Sequence, residues 1–217
     1  MHMTKQEAHT GYSTVPAGHI ATVVTCLEMA AKPELDPTKS EFPEGITLES
    51  FDCAVLDDYR RLYRRVGEEW LWFSRLVMDD ASLSAILHDS AVEVYVLRKN
   101  EMDIGILELD FRQSEECELV FFGLTPDVTG LGLGSHFINK AIELAWSKPV
   151  RRFWVHTCTF DHPAALKFYI RSGFKPFALE VEVKPDPRLS GHLAKTSAPH
   201  VPKERILHLI CQVCGWL

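Results

Sequence analysis

Three glycines at alternate positions, 130, 132 and 134, lie in the stretch "VTGLGLGSH" (128–136), with an apolar run before it and a helical pattern after it. A chain that passes from strand to helix through such a turn is committed to mixed α/β architecture. Without a Cβ, Gly130, Gly132 and Gly134 let the backbone approach an anion closely. The first amides of the following helix, aided by its dipole, favour negative charge. The pattern therefore predicts a phosphate-holding loop, although a tight turn alone would also use glycines. Two familiar loops fail on spacing. A dinucleotide fingerprint needs glycine at 135 or 137, where Ser135 and Phe137 stand. A Walker A loop needs Lys and then Ser or Thr after the last glycine, and Ser135-His136 follows Gly134.

The rest of the chain fits the same architecture. "ATVVTCLEM" (21–29) is rich in β-branched residues and predicts a strand that either extends the sheet or meets a second copy in a homodimer. A Pro-rich, charged linker over 31–45 precedes a short strand at 46–50. From Phe51 to His88 the spacing turns helical, through "WLWFSRLVM" and into "DASLSAILHD", with Asp80 as its cap. A hairpin over 92–111 with "KNEMD" as its turn, a strand over 117–124 and a helix over 133–146 follow. Leu133, Phe137, Ala141, Ile142 and Ala145 are expected to face inward on that helix. The chain ends with a strand (151–160), a helix (162–173), a strand (176–185) and the apolar tail "RILHLICQVCGWL".

Composition narrows the function. The net charge is −7, which argues against sequence-independent binding of nucleic acid or of an anionic membrane. The basic run "YRRLYRR" (59–65) is offset by nearby acids and reads as a solvated helix face. No apolar run reaches the roughly 20 residues that cross a membrane. Six dispersed cysteines fit a reduced, cytoplasmic chain. Cys211-x-x-Cys214, even with His208, lacks a second ligand pair for structural zinc, so no metal is expected.

Two motifs together carry a resemblance. Thr129-Gly130-Leu131-Gly132-Leu133-Gly134 is similar to the Gln/Arg-x-x-Gly-x-Gly/Ala loop of the GNAT superfamily of N-acetyltransferases, with Thr129 in place of a longer side chain. "DHPAALKFYIRSGF" (161–174) is similar to that family's Asn-x-x-Ala-x-x-x-Tyr-x-x-x-Gly-Phe pattern, with Asp161 where Asn is common and still able to cap the helix. The resemblance covers roughly 46–185. It implies an acyl-CoA N-acyltransferase fold, a mixed sheet with a splayed pair of strands flanked by helices. Residues 1–45 would form an N-terminal extension with one strand, and 186–217 a segment packing on the same domain.

The resemblance also implies the chemistry. Acetyl-CoA would be the co-substrate and a primary amine the acceptor, joined by direct attack in a ternary complex. The amides around Thr129, Gly130, Leu131, Gly132, Leu133, Gly134 and Ser135 would hold the pyrophosphate, and Asp161, Ala164 and Phe168 would also bind the cofactor. Phe122, Gly123 and Leu124 would bind the pantetheine arm as an added strand, Gly123 letting the arm lie close. The Phe122 N–H would meet the oxyanion. Tyr169 matches the family's general acid toward the leaving thiolate. "ELVFFGL" resembles the "EIVFCAI" stretch of the histone-acetylating branch, which makes Glu118 the candidate base. His156 is the rival base, and Cys158 a remote candidate for a covalent acetyl-enzyme. Tyr63, Trp70, Trp72 and Phe73, with Glu68 and Glu69, would wall the amine pocket. Two rivals remain at this point: a non-catalytic acyl-CoA-binding regulatory module and a nucleotide-binding α/β domain.

Overall fold

Period-two alternation of apolar residues builds the sheet, and the computed structural model, which describes residues 10–203, shows how the strands are ordered. The elements in chain order are β1 (His19–Met29), β2 (Ile46–Ser50), α1 (Leu56–Gly67), α2 (Asp80–Leu87), β3 (Val92–Lys99), β4 (Met102–Asp110), β5 (Glu116–Leu124), α3 (Leu133–Ala145), β6 (Arg152–Cys158), α4 (Ala165–Arg171) and β7 (Lys175–Pro185). The seven strands lie in the order β2-β3-β4-β5-β6-β1-β7. Every neighbouring pair is antiparallel except β5 with β6. A parallel pair needs a long crossover, and the segment carrying the glycine loop and α3 supplies it.

Helices cover both faces. On one face α3 buries Leu133, Phe137, Ile138, Ala141, Ile142 and Ala145 against β4, β5 and β6, with Tyr169 of α4 in the same cluster. On the other, Tyr59, Leu62, Tyr63 and Val66 of α1 pack with Leu83 and Leu87 of α2 over β3 and β4. The tyrosines within "YRRLYRR" are therefore core residues, while Arg60 and Arg61 pair with Asp80 and Asp58 at 2.7 Å. The β3–β4 turn is tight: Asn100 and Glu101 both have positive φ (47° and 70°), as a two-residue primed turn requires.

Three expectations need correction. "WLWFSRLVM" is not helical: α1 ends in a short 3-10 turn, Leu71 is left-handed (φ 55°), and the chain runs irregularly to α2. The cause is local. The amide of Trp72 turns back to the Gly67 carbonyl (3.0 Å), and Arg75 is drawn into the core by Glu108. The cap of α2 is Asp79, whose carboxylate accepts from Ser82 N at 2.8 Å, not Asp80. Asp161 does not cap α4, whose N-cap is Ala164. Its carboxylate instead accepts from Cys158 N and Thr157 Oγ1, both at 2.8 Å.

The strand at the N-terminus has a specific place. β1 pairs with β6 on one side and β7 on the other, inside the sheet. The linker that leaves it crosses α3, where His136 Nδ1 meets Glu41 O at 2.7 Å. The residues of the C-terminal CxxC, Cys211 and Cys214, and His208 lie outside the described residues.

Candidate functional site

β5 stays paired with β4 as far as Leu124 but with β6 only to Leu119. The break coincides with a bulge. Glu108 faces Phe121 and Leu109 faces Leu119, so Val120 is an extra residue without a partner on β4. A bulge bends its strand and increases its twist. β5 and β6 part from this point, and a cleft of about 610 Å³ opens between them. Phe122, Gly123 and Leu124 form its β5 edge, and His156, Thr157 and Cys158 of β6 lie across from them.

The glycine loop closes one end. Gly130 and Gly132 both adopt left-handed backbone (φ 84° and 83°), which L side chains rarely take, and a Cβ on either would meet nothing within 4 Å. The glycines are thus required by conformation and leave open space over the loop. Gly132 is the N-cap of α3, so the amides of Leu133, Gly134 and Ser135 lack intrahelical acceptors. Thr129, Gly130, Gly132, Gly134 and Ser135 line the cleft. Leu131 and Leu133 are not on its walls. The Leu131 side chain is 64% exposed and its amide donates to Val128 O at 3.4 Å, while the Leu133 side chain lies in the core, so of the two only the Leu133 amide is open to a ligand. Thr129 Oγ1 turns back to Thr125 O at 3.1 Å. In place of a long side chain that could reach a phosphate, this position carries a short one used within the loop.

α4 forms the adjoining wall, with Ala164, Phe168 and Tyr169. Tyr169 is 7% exposed, and its ring lies edge-on to Phe122 and Phe174. Burial, with the charge of Asp161 adding to it, pushes the phenol well above its ordinary pKa, so it is protonated at neutral pH. Phe168 stacks on Phe122 at 5.8 Å and also touches the space above Gly134, serving core and cleft together.

Trp72 organises the far wall. A Cβ on Gly67 would fall 2.3 Å from Trp72 Cβ, and one on Gly123 would meet Val66 Cγ1 at 2.5 Å and Trp72 Cη2 at 3.1 Å. Both glycines are therefore spaces for this indole and for α1, which gives Gly123 a reason other than room for a ligand. The Trp72 ring packs on Phe121 and Tyr63, and its Nε1 donates to Asp161 Oδ1 at 3.3 Å. Behind Phe121 lies a buried polar cluster. Glu108, 0% exposed, accepts from Arg75 Nη2 and Tyr59 Oη, each at 2.5 Å, and the guanidinium sits 5.1 Å from the Phe121 ring. Sequence reasoning missed this cluster. The one signal was an acid, Glu108, inside the otherwise apolar run 104–109 of β4.

Glu118 and His156 meet at the apex, where the strands part. Glu118 lines a smaller cavity with Asp110, Arg112, Gln113 and Trp154, outside the main cleft. His156 lines the cleft itself, with Nδ1 3.6 Å from Glu118 Oε1. Glu118 raises the imidazole above its ordinary pKa; burial opposes this, and Asp161 and Glu182 add to it. Cys158 also borders the cleft, but burial raises its thiol, leaving it protonated and a poor nucleophile. Tyr63, Trp70, Trp72 and Phe73 all stand on the cleft walls, whereas Glu68 and Glu69 do not; Glu68 Oε1 accepts from Ser197 Oγ. No cluster of three metal-ligating side chains occurs among the described residues. Among them no helix is long and apolar enough to cross a membrane.

Residues 52–174 match the model of the Acetyltransferase (GNAT) family. The chain belongs to the GNAT family. Solved structures agree on the fold. A GCN5-related N-acetyltransferase from Sphaerobacter thermophilus superposes with a TM-score of 0.53 at 14% identity, over 77% of this chain and 53% of its own. The ribosomal-protein-S18-alanine N-acetyltransferase of Escherichia coli gives 0.51 at 15% identity, over 65% of this chain and 94% of its own. A functionally unknown conserved protein from Staphylococcus epidermidis ATCC 12228 gives 0.52 at 16% identity, over 78% of this chain and 64% of its own. This GNAT chain thus spans between about half and two thirds of the first and last of these three. No curated protein sequence matches it.

Proposed function

We propose that this GNAT chain is an N-acetyltransferase that moves the acetyl group of acetyl-CoA to a primary amine by direct attack in a ternary complex. The observation that carries the reading is the parting of β5 from β6 beyond Leu119, with the glycine loop at one end of the gap and Tyr169 on its wall. The open amides of Gly130 and of Gly132 to Ser135 hold the pyrophosphate. The pantetheine arm pairs with the freed edge at Phe122–Leu124. The Phe122 N–H receives the carbonyl oxygen as charge develops on it.

The amine must lose a proton and the thiolate must gain one. The amine lone pair attacks the thioester carbon, and the C–S bond breaks as the tetrahedral intermediate collapses. His156, at the apex, takes the amine proton, and Glu118 behind it stabilises the imidazolium that forms. Tyr169, kept protonated by burial, gives its proton to the departing sulfur and recovers one from solvent. The two carboxylates therefore have separate roles. Glu118 acts through His156, while Asp161 holds the turn after β6 that leads into α4.

Calorimetry with acetyl-CoA, NAD and ATP, followed by thiol release from acetyl-CoA over an amine panel, tests the proposal. Acetyl-CoA is expected to bind in preference and to turn over only with amine present. Preference for NAD or ATP sinks it, and so does acetyl-CoA binding with no transfer to any amine.

A further inference from the structure

The two ends of the cleft differ in kind. Away from the glycine loop, Trp72, Phe73 and Phe160 present aromatic surface to the cleft, backed by the buried Val24 and Leu71 and alongside Ser74. The charged groups on that side are already matched. Asp161 accepts from Cys158 N, Thr157 Oγ1 and Trp72 Nε1. Glu182 Oε1 pairs with Lys184 Nζ at 2.7 Å, and that ammonium stands 5.7 Å from the Phe73 ring. Glu118 lies outside the cleft, behind His156. One amino group can be received at the apex, where His156 takes its proton. A second cation further along the molecule would lose its water against rings and methyl groups and find every carboxylate engaged.

We infer that the acceptor is a primary monoamine on an aromatic or aliphatic body, and that the site discriminates against diamines, polyamines and lysine-rich peptides. The inference rests on the acetyl-transfer reading and names the substrate class of that same site. The aromatic walls do the selecting. An apolar body gains by leaving water roughly in proportion to the area covered, and a terminal ammonium in the same place forfeits that gain.

A matched pair tests it. Hexylamine and 1,5-diaminopentane have the same number of non-hydrogen atoms and differ in one terminal group, methyl against ammonium. With the full chain and saturating acetyl-CoA, kcat/KM for hexylamine and for 2-phenylethylamine is expected to exceed that for 1,5-diaminopentane by roughly a hundredfold. A Lys184→Met variant releases the Glu182 carboxylate from a pair in which both side chains are 40% exposed. It should narrow the hexylamine-to-diamine ratio about fivefold. Equal or better use of the diamine or of a lysine-rich peptide overturns the inference while leaving acetyl transfer intact, and so does an unchanged ratio in Lys184→Met. Acetyl-CoA binding with no transfer to any amine overturns the transfer reading itself, and the inference falls with it.

Discussion

The proposed donor and acceptor ends of the cleft are built by different means. At the donor end the material is backbone: left-handed Gly130 and Gly132, the first amides of α3, and the edge of β5. It comes from two short runs of sequence, 122–124 and 130–135. At the acceptor end the material is side chains from β1, the irregular segment after α1, β5, the turn after β6, and β7. A backbone cradle can be read as a spacing, because glycine positions and a helix start are local. A side-chain pocket depends on which distant segments fold together, and no spacing records that.

The sharpest break between the ends is expected at Tyr169. If it serves the leaving thiolate and not the cradle, Tyr169→Phe removes one proton donor and leaves the ring. Turnover should fall by about 10²- to 10⁴-fold, while calorimetry shows unchanged acetyl-CoA affinity. Lost affinity with unchanged turnover would place Tyr169 with the donor site instead. The acceptor end has its own anchor in Glu108, which is buried and holds Arg75 and Tyr59 behind Phe121. Glu108→Ala leaves a guanidinium buried without its partner. It should cost about 3–5 kcal/mol in denaturant unfolding and disturb amine KM before acetyl-CoA binding.

How legible the molecule is follows the same division. The strand over 92–99 and the inward face of α3 could be read because alternation and 3.6-residue spacing are strong there, and the two strands that follow β3 because they are short apolar runs bounded by turn residues. The irregular run after α1 could not. "WLWFSRLVM" has helical spacing, yet Gly67 admits Trp72 and Glu108 captures Arg75, so tertiary contacts override local preference. Asp161 likewise has the residue type and position of a helix cap. The free amide of Cys158 and the hydroxyl of Thr157 are closer partners for it. The place of β1, between β6 and β7, is a choice of neighbours that alternation alone does not encode.

A smaller effect isolates the donor end. At Gly132, with φ 83° and open space where a Cβ would stand, a side chain meets strain and no clash. Gly132→Val should raise the acetyl-CoA KM roughly tenfold, the scale of one left-handed β-branched residue, with kcat and amine KM little changed. A fall in kcat alone would mean that the loop shapes the apex and does not only hold the anion.

The smallest expected effect tests whether Glu118 reaches the reaction through His156. The imidazole must be neutral to take a proton, and Glu118 is the first cause raising its pKa above the ordinary value of 6.5. Activity should therefore fall as pH drops through that raised value. Glu118→Gln removes the cause, so the acid limb of kcat/KM should move to lower pH, and the variant should keep more of its own maximum below neutrality than the parent does. His156→Gln should abolish the limb. Stability carries the same sign. A raised folded-state pKa stabilises below the unfolded value and loses that contribution as pH rises through the folded one. Any loss of stability in Glu118→Gln should thus show in acid and vanish in alkali. An acid limb that stays in place in Glu118→Gln would separate the two residues and leave His156 to act alone.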